Sequence, residues 1–138
     1  MRSASLIILV LGLAGCAVST PLPDFTIKQP AATVPSHLAA FSGKWTGRWG
    51  GELDGTLIVE EISGRNAKLV YSWGNLPRMN MSSGFRHMDG VFGEDNVLRA
   101  TLGPNTRVSY RLTSPGTLEG RWESAQQTAS ATFKRAEK

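Results

Sequence analysis

Arg107-Val108-Ser109-Tyr110-Arg111-Leu112-Thr113-Ser114-Pro115-Gly116-Thr117-Leu118-Glu119-Gly120-Arg121-Trp122-Glu123 carries the pattern on which the fold rests. Val108, Tyr110 and Leu112 alternate with Arg107, Ser109 and Arg111, and after Ser114-Pro115-Gly116 the alternation resumes as Leu118, Gly120, Trp122 against Glu119, Arg121, Glu123. A period of two places alternate side chains on opposite faces of a strand. A connection as short as Ser-Pro-Gly returns the chain antiparallel to itself, so this stretch is a hairpin with one dry face and one wet face.

The same signal spreads in both directions. Trp45, Gly47 and Trp49; Leu57 and Val59; Leu69, Tyr71 and Trp73; Leu98, Ala100 and Leu102; and Ala129, Ala131 and Phe133 form further dry sets. Strands are expected over 44–50, 55–62, 66–73, 84–92, 96–102, 106–113, 117–123 and 128–135, of which only the fourth lacks a clean pair of faces. Ser63-Gly64-Arg65-Asn66 and Gly103-Pro104-Asn105 are two more tight turns, and 74–83, with Pro77, is the longest connection and the expected mobile loop. No helical period remains to cover the dry faces, so the sheet must cover its own. The expected fold class is all-β, a small antiparallel eight-stranded up-and-down β-barrel. Closure also removes both exposed edges.

A chain of 138 residues holds one such domain, and 41% hydrophobic with 19% charged residues excludes wholesale disorder. The net charge of +4 permits attraction to anionic polymers without defining a site. One cysteine forbids an intrachain disulfide, so packing alone holds the domain together.

That cysteine belongs to the other legible segment. Met1-Arg2 is a short basic start, 6–13 is apolar, and Leu13-Ala14-Gly15-Cys16 ends the run with small residues. The run falls well short of the roughly 20 residues that cross a bilayer and has the layout of an export signal. Leu13-Ala14-Gly15-Cys16 resembles the lipobox of bacterial lipoproteins. The resemblance implies a signal peptide over 1–15, cleavage before Cys16, acylation of Cys16 and permanent attachment to a lipid membrane. Ala17, where an aspartate would signal inner-membrane retention, implies the periplasmic face of the outer membrane. From 16 to 41 the chain holds four of its seven prolines and is expected to be a flexible tether spanning on the order of 30 to 80 Å. The barrel domain is expected over 42–138.

Gly43-Lys44-Trp45 resembles the G-x-W signature of the calycins, the barrel superfamily of lipocalins and avidins. The resemblance implies that Trp45 closes one barrel end against a basic residue at the end of the last strand, Lys134 or Arg135. The second lipocalin motif, a helix after the barrel and the polar residues with which avidins hold biotin have no counterpart here.

Chemistry-bearing patterns are sparse. There is no G-x-S-x-G elbow, no H-E-x-x-H and no phosphate-binding glycine loop. His87 and Asp89, two apart, share a strand face and amount to half of a metal or acid–base site. No cofactor and no enzymatic activity are expected. The aromatic set Trp45, Trp49, Tyr71, Trp73, Tyr110 and Trp122, with Phe85 and His87 near the rim, is the expected ligand-binding group. A barrel this small is expected to be filled by its own side chains, and any pocket should open by 74–83, near Arg78, Met79, Asn80 and Met81. The arginines at 48, 99, 107, 111 and 121 could gather into a basic patch, although export argues against a nucleic-acid partner. The leading expectation is a monomeric, membrane-anchored envelope lipoprotein whose barrel binds a small amphiphile or an envelope protein. Its alternatives are a loop-mediated inhibitor of a hydrolase and a metal-dependent enzyme.

Overall fold

The computed structural model describes residues 18–136; the signal segment 1–15 and Cys16 lie outside the described residues. Eight strands, β1 (Gly43–Trp49), β2 (Leu53–Ser63), β3 (Asn66–Trp73), β4 (Gly84–Phe92), β5 (Leu98–Gly103), β6 (Thr106–Ser114), β7 (Thr117–Glu123) and β8 (Thr128–Arg135), follow one another around a closed antiparallel barrel. β1 pairs with β2 and also with β8, where Gly47 stands opposite Phe133. The expected bounds of the third, fourth, seventh and eighth strands coincide with the observed ones. In the β2–β3 and β6–β7 turns, Gly64 and Gly116 take φ of 59° and 89°, the left-handed conformation that side chains resist.

The register decides which side chains face inward, because directly opposed residues of an antiparallel pair share a face. Trp45 opposes Leu57, Leu57 opposes Tyr71, and Tyr110 opposes both Leu98 and Gly120. Leu118 opposes Phe133. These side chains meet in one core. Gly47, Gly55 and Gly120 leave room for the largest of them: a Cβ on Gly120 would lie 2.9 Å from both the Trp49 and Phe133 rings.

One barrel end is sealed. A short helix, α1 (Ser36–Ala39), folds back across it and contributes Leu38, flanked by Val34 and Phe41, all three buried. The Trp45 indole donates to the Phe41 carbonyl at 2.9 Å, and Phe41 meets Phe92 edge-on at 5.0 Å. The Arg135 guanidinium lies 4.2 Å from the centre of the Trp45 ring and donates to the carbonyls of Ser42 at 2.7 Å and Ala40 at 2.6 Å. Trp45 therefore closes the end against the last strand as expected, and Arg135 is the basic residue that meets it.

The segment 18–41 differs from the expected free tether. It runs beside β2 in the same direction: Ser19 N–H donates to Asp54 Oδ2 at 3.0 Å, Thr20 bonds Thr56 at 2.7 Å, the Pro21 carbonyl accepts from Ser72, and Lys28 N–H donates to the Glu60 carbonyl at 2.7 Å. Beneath this strap, the outward-facing Ile58, Val70, Thr56 and Ser72 are buried. The physical reason is that β2 and β3 present apolar side chains on both faces. Ile58 and Val70 stand opposite each other outside the barrel, and only a covering segment removes them from water. Proline-rich chain suits that role, since it lies extended and lacks some of the N–H groups that burial would orphan.

Candidate functional site

The opposite barrel end is open. There the β1–β2 turn, the β3–β4 connection, the β5–β6 turn and the β7–β8 turn surround a cavity of about 800 Å³. Its walls are mainly apolar: Trp49, Leu53, Tyr71, Trp73, Leu102, Trp122 and Ala129, with Leu76, Met79 and Met81 at the rim. The size lies in the range of small-molecule sites. The expected filled interior holds only for the sealed half.

The β3–β4 connection is exposed, as expected, but folded on itself. Leu76 and Met81 exchange backbone hydrogen bonds of 2.9 and 3.1 Å around a 3-10 turn at Pro77–Met79, and Asn80 turns the chain with φ of 52°. Trp73 Nε1 donates to the Ser82 carbonyl at 2.8 Å, Asn75 Oδ1 accepts from Ser83 N–H at 2.8 Å, and Arg78 pairs with Glu52 across the rim. The Trp73 ring, with no side chain on Gly84 to displace it, stacks at 36° to Tyr71 with centres 5.8 Å apart. It remains half-buried, presenting part of its surface to the opening.

The polar groups of the site are few and incompletely used. Trp49 Nε1 and the Tyr110 hydroxyl are buried, and neither makes a hydrogen bond of proper geometry. Burial pushes the Tyr71 hydroxyl up to about 12, opposed only by the neighbouring Trp49 indole. Burial also holds Tyr110 well above the usual tyrosine range, with Tyr71 adding to the rise. Both phenols are therefore neutral donors at physiological pH. Arg86, opposite Tyr71 in register, faces inward at the mouth and donates to the Leu102 carbonyl. Among the described residues no carboxylate pairs with it. It bridges a seam where β4 and β5 are in register only from Gly90 to Phe92.

Of the residues expected to bind ligand, Trp49, Tyr71, Trp73 and Trp122 meet around the cavity. Tyr110 lies deeper, its ring 6.4 Å from that of Trp49. Trp45 is at the sealed end. Phe85 and His87 oppose Ser72 and Val70 and so stand on the outer surface, in edge contact with each other at 6.2 Å. Asp89, on that same surface, pairs with Lys68 at 3.5 Å. Arg86, between Phe85 and His87, was missed because a charged residue on an ambiguous strand is ordinarily assigned to solvent. Its register opposite Tyr71 is the signal that finds it.

A second concavity, about 1330 Å³, lies mainly along β4 to β7, with Glu60, Lys68, Leu69 and Ser130 also on its walls, and it shares Arg86 with the first. The expected basic patch is interrupted there. Arg107 stands opposite Glu123 and Arg111 opposite Glu119, while Arg121 pairs with Glu123 and Arg99 with Asp95 at 2.8 Å. Arg48 lies elsewhere, paired with Asp54 at 2.8 Å.

No protein-family model matches the sequence, no curated protein matches it, and no solved structure matches the fold.

Proposed function

We propose that the protein is a non-enzymatic envelope lipoprotein, anchored through acylated Cys16 at the periplasmic face of the outer membrane, whose barrel mouth binds a small anionic amphiphile. One observation carries the binding reading: an aromatic cavity with the Arg86 guanidinium at its mouth, which no carboxylate among the described residues pairs with. Apolar walls favour a hydrocarbon or aromatic body. Arg86 supplies a charge-assisted donor for a carboxylate or comparable head at the mouth. The calycin layout, with Gly43-Lys44-Trp45 leading into a ring that Arg135 covers, supports membership of a barrel superfamily built around such cavities.

Titration of the Cys16→Ser chain with a panel of fatty acids and aromatic carboxylates, read by tryptophan fluorescence, tests the reading. A saturable change is expected, weakened about tenfold or more in Arg86→Gln, in keeping with the ~1.5–3 kcal/mol of a hydrogen bond to a charged group. Absence of a saturable response across the panel would contradict it.

A further inference from the structure

The strap fixes where the membrane anchor emerges. Ser19 is held at Asp54, the second residue of β2, and its carbonyl lies beside Gly74, the first residue after β3. Both positions are at the open end of the barrel, next to the loops that form the rim. From there the chain runs away from the mouth, reaching Glu60 and Glu61 by Lys28 and the sealed end by α1. Residues 20 to 41 are thus used up along the barrel wall. Only three residue steps separate Ser19 from Cys16, a reach of at most about 11 Å. A barrel on a free tether would tumble far from the lipid, whereas acylation at Cys16, this close to Ser19, would hold the mouth end toward it.

The rim suits that position. Met79, 41% exposed, stands beside Leu76 and Met81 on the β3–β4 connection. The charged side chains of the mouth are Arg78, Arg86 and Glu52, two cations to one anion. Apolar rim residues with adjacent cations match an anionic bilayer surface.

We infer that the barrel docks mouth-down on the bilayer that holds Cys16, with anionic lipid headgroups at Arg78 and Arg86 and the Met79 loop in the interface. Docking rests on the lipid-anchor reading and makes the membrane itself the source of the amphiphile. The ligand then enters from lipid without crossing water.

The test uses the full lipidated chain in phosphatidylcholine vesicles containing phosphatidylglycerol, with a spin label at Met79→Cys or, at the far end, at Ser63→Cys. Docking predicts that the label at 79 is reached by oxygen and shielded from an aqueous nickel chelate, and that the label at 63 shows the reverse. Equal exposure of both labels to the chelate overturns docking, as does a chain that fails to remain on membranes. The fatty-acid titration of the Cys16→Ser chain is read in parallel. A saturable titration with an aqueous label at 79 removes docking and leaves the cavity reading intact. A silent titration with a lipid-facing label at 79 removes the cavity reading and supports docking.

Discussion

Trp49 shows how the interior depends on single side chains. Its ring fits only because Gly55 and Gly120 carry no Cβ, and it meets Phe133 edge-on at 5.3 Å. Gly120→Ala would drive a methyl to within 2.9 Å of both the Trp49 and Phe133 rings. It is expected to cost about 1–3 kcal/mol, read as a lowered urea midpoint with an unchanged slope; an unchanged midpoint would contradict this packing. The tyrosines offer a second measurement at this scale. The chain has two, and burial raises both. Tyrosinate absorbance of the folded protein is therefore expected to stay flat through the ordinary value of 10.0 and to rise only near 12 or on unfolding. Because the fold favours the protonated phenols, their contribution to stability is complete below 10.0 and is lost as pH rises through the raised values. A normal titration of either residue would place it in water.

Among the elements, the strap is the one with a definable latch. Burial pushes the Asp54 carboxyl up, but the Ser19 N–H bond, the Arg48 bond and the Arg48 charge together outweigh burial and hold it below its ordinary value of 3.8. The latch is therefore at full strength above 3.8 and is lost as pH falls through the depressed value. At neutral pH, Asp54→Asn is expected to strip hydrogen-exchange protection from the Ser19 amide while the Lys28 amide, bonded to the Glu60 carbonyl, keeps it. Equal loss at both sites would mean that the strap releases as a unit. The barrel elements were legible in the sequence because every strand but β4 carries a recognisable dry set at period two and turn residues separate them. The strap was not. Its four prolines spoke for extended chain, and nothing local revealed that extended chain would lie on Ile58 and Val70, whose burial follows only from pairing β2 with β3. β4 was ambiguous for a related reason: Phe85, Met88 and Val91 recur every three residues, so only the register with Tyr71 and Leu69 assigns Arg86 and Met88 inward and His87 outward. Four of the eight expected ligand residues accordingly lie outside the cavity lining, Trp45 at the sealed end, Tyr110 deeper in the core, and Phe85 and His87 on the outer surface with Arg86 in the inward place between them.

At the scale of the whole molecule, the barrel is polar in its construction. One end is sealed by α1, Phe41, Trp45 and Arg135, and the other opens through Trp73 and Trp122 into a cavity whose donors are not all used. The same polarity follows from the strap, which is held beside the mouth at Ser19 and ends at the seal. The four tryptophans sample this axis from end to end, so their indole N–H resonances report on it directly. In nitrogen-15 correlation spectra of the Cys16→Ser chain titrated with a fatty acid, the Trp49, Trp73 and Trp122 signals are expected to shift in a saturable manner while Trp45, bonded to the Phe41 carbonyl, stays in place. Shifts confined to Trp45, or no shift at saturating ligand, would contradict a binding site at the barrel mouth.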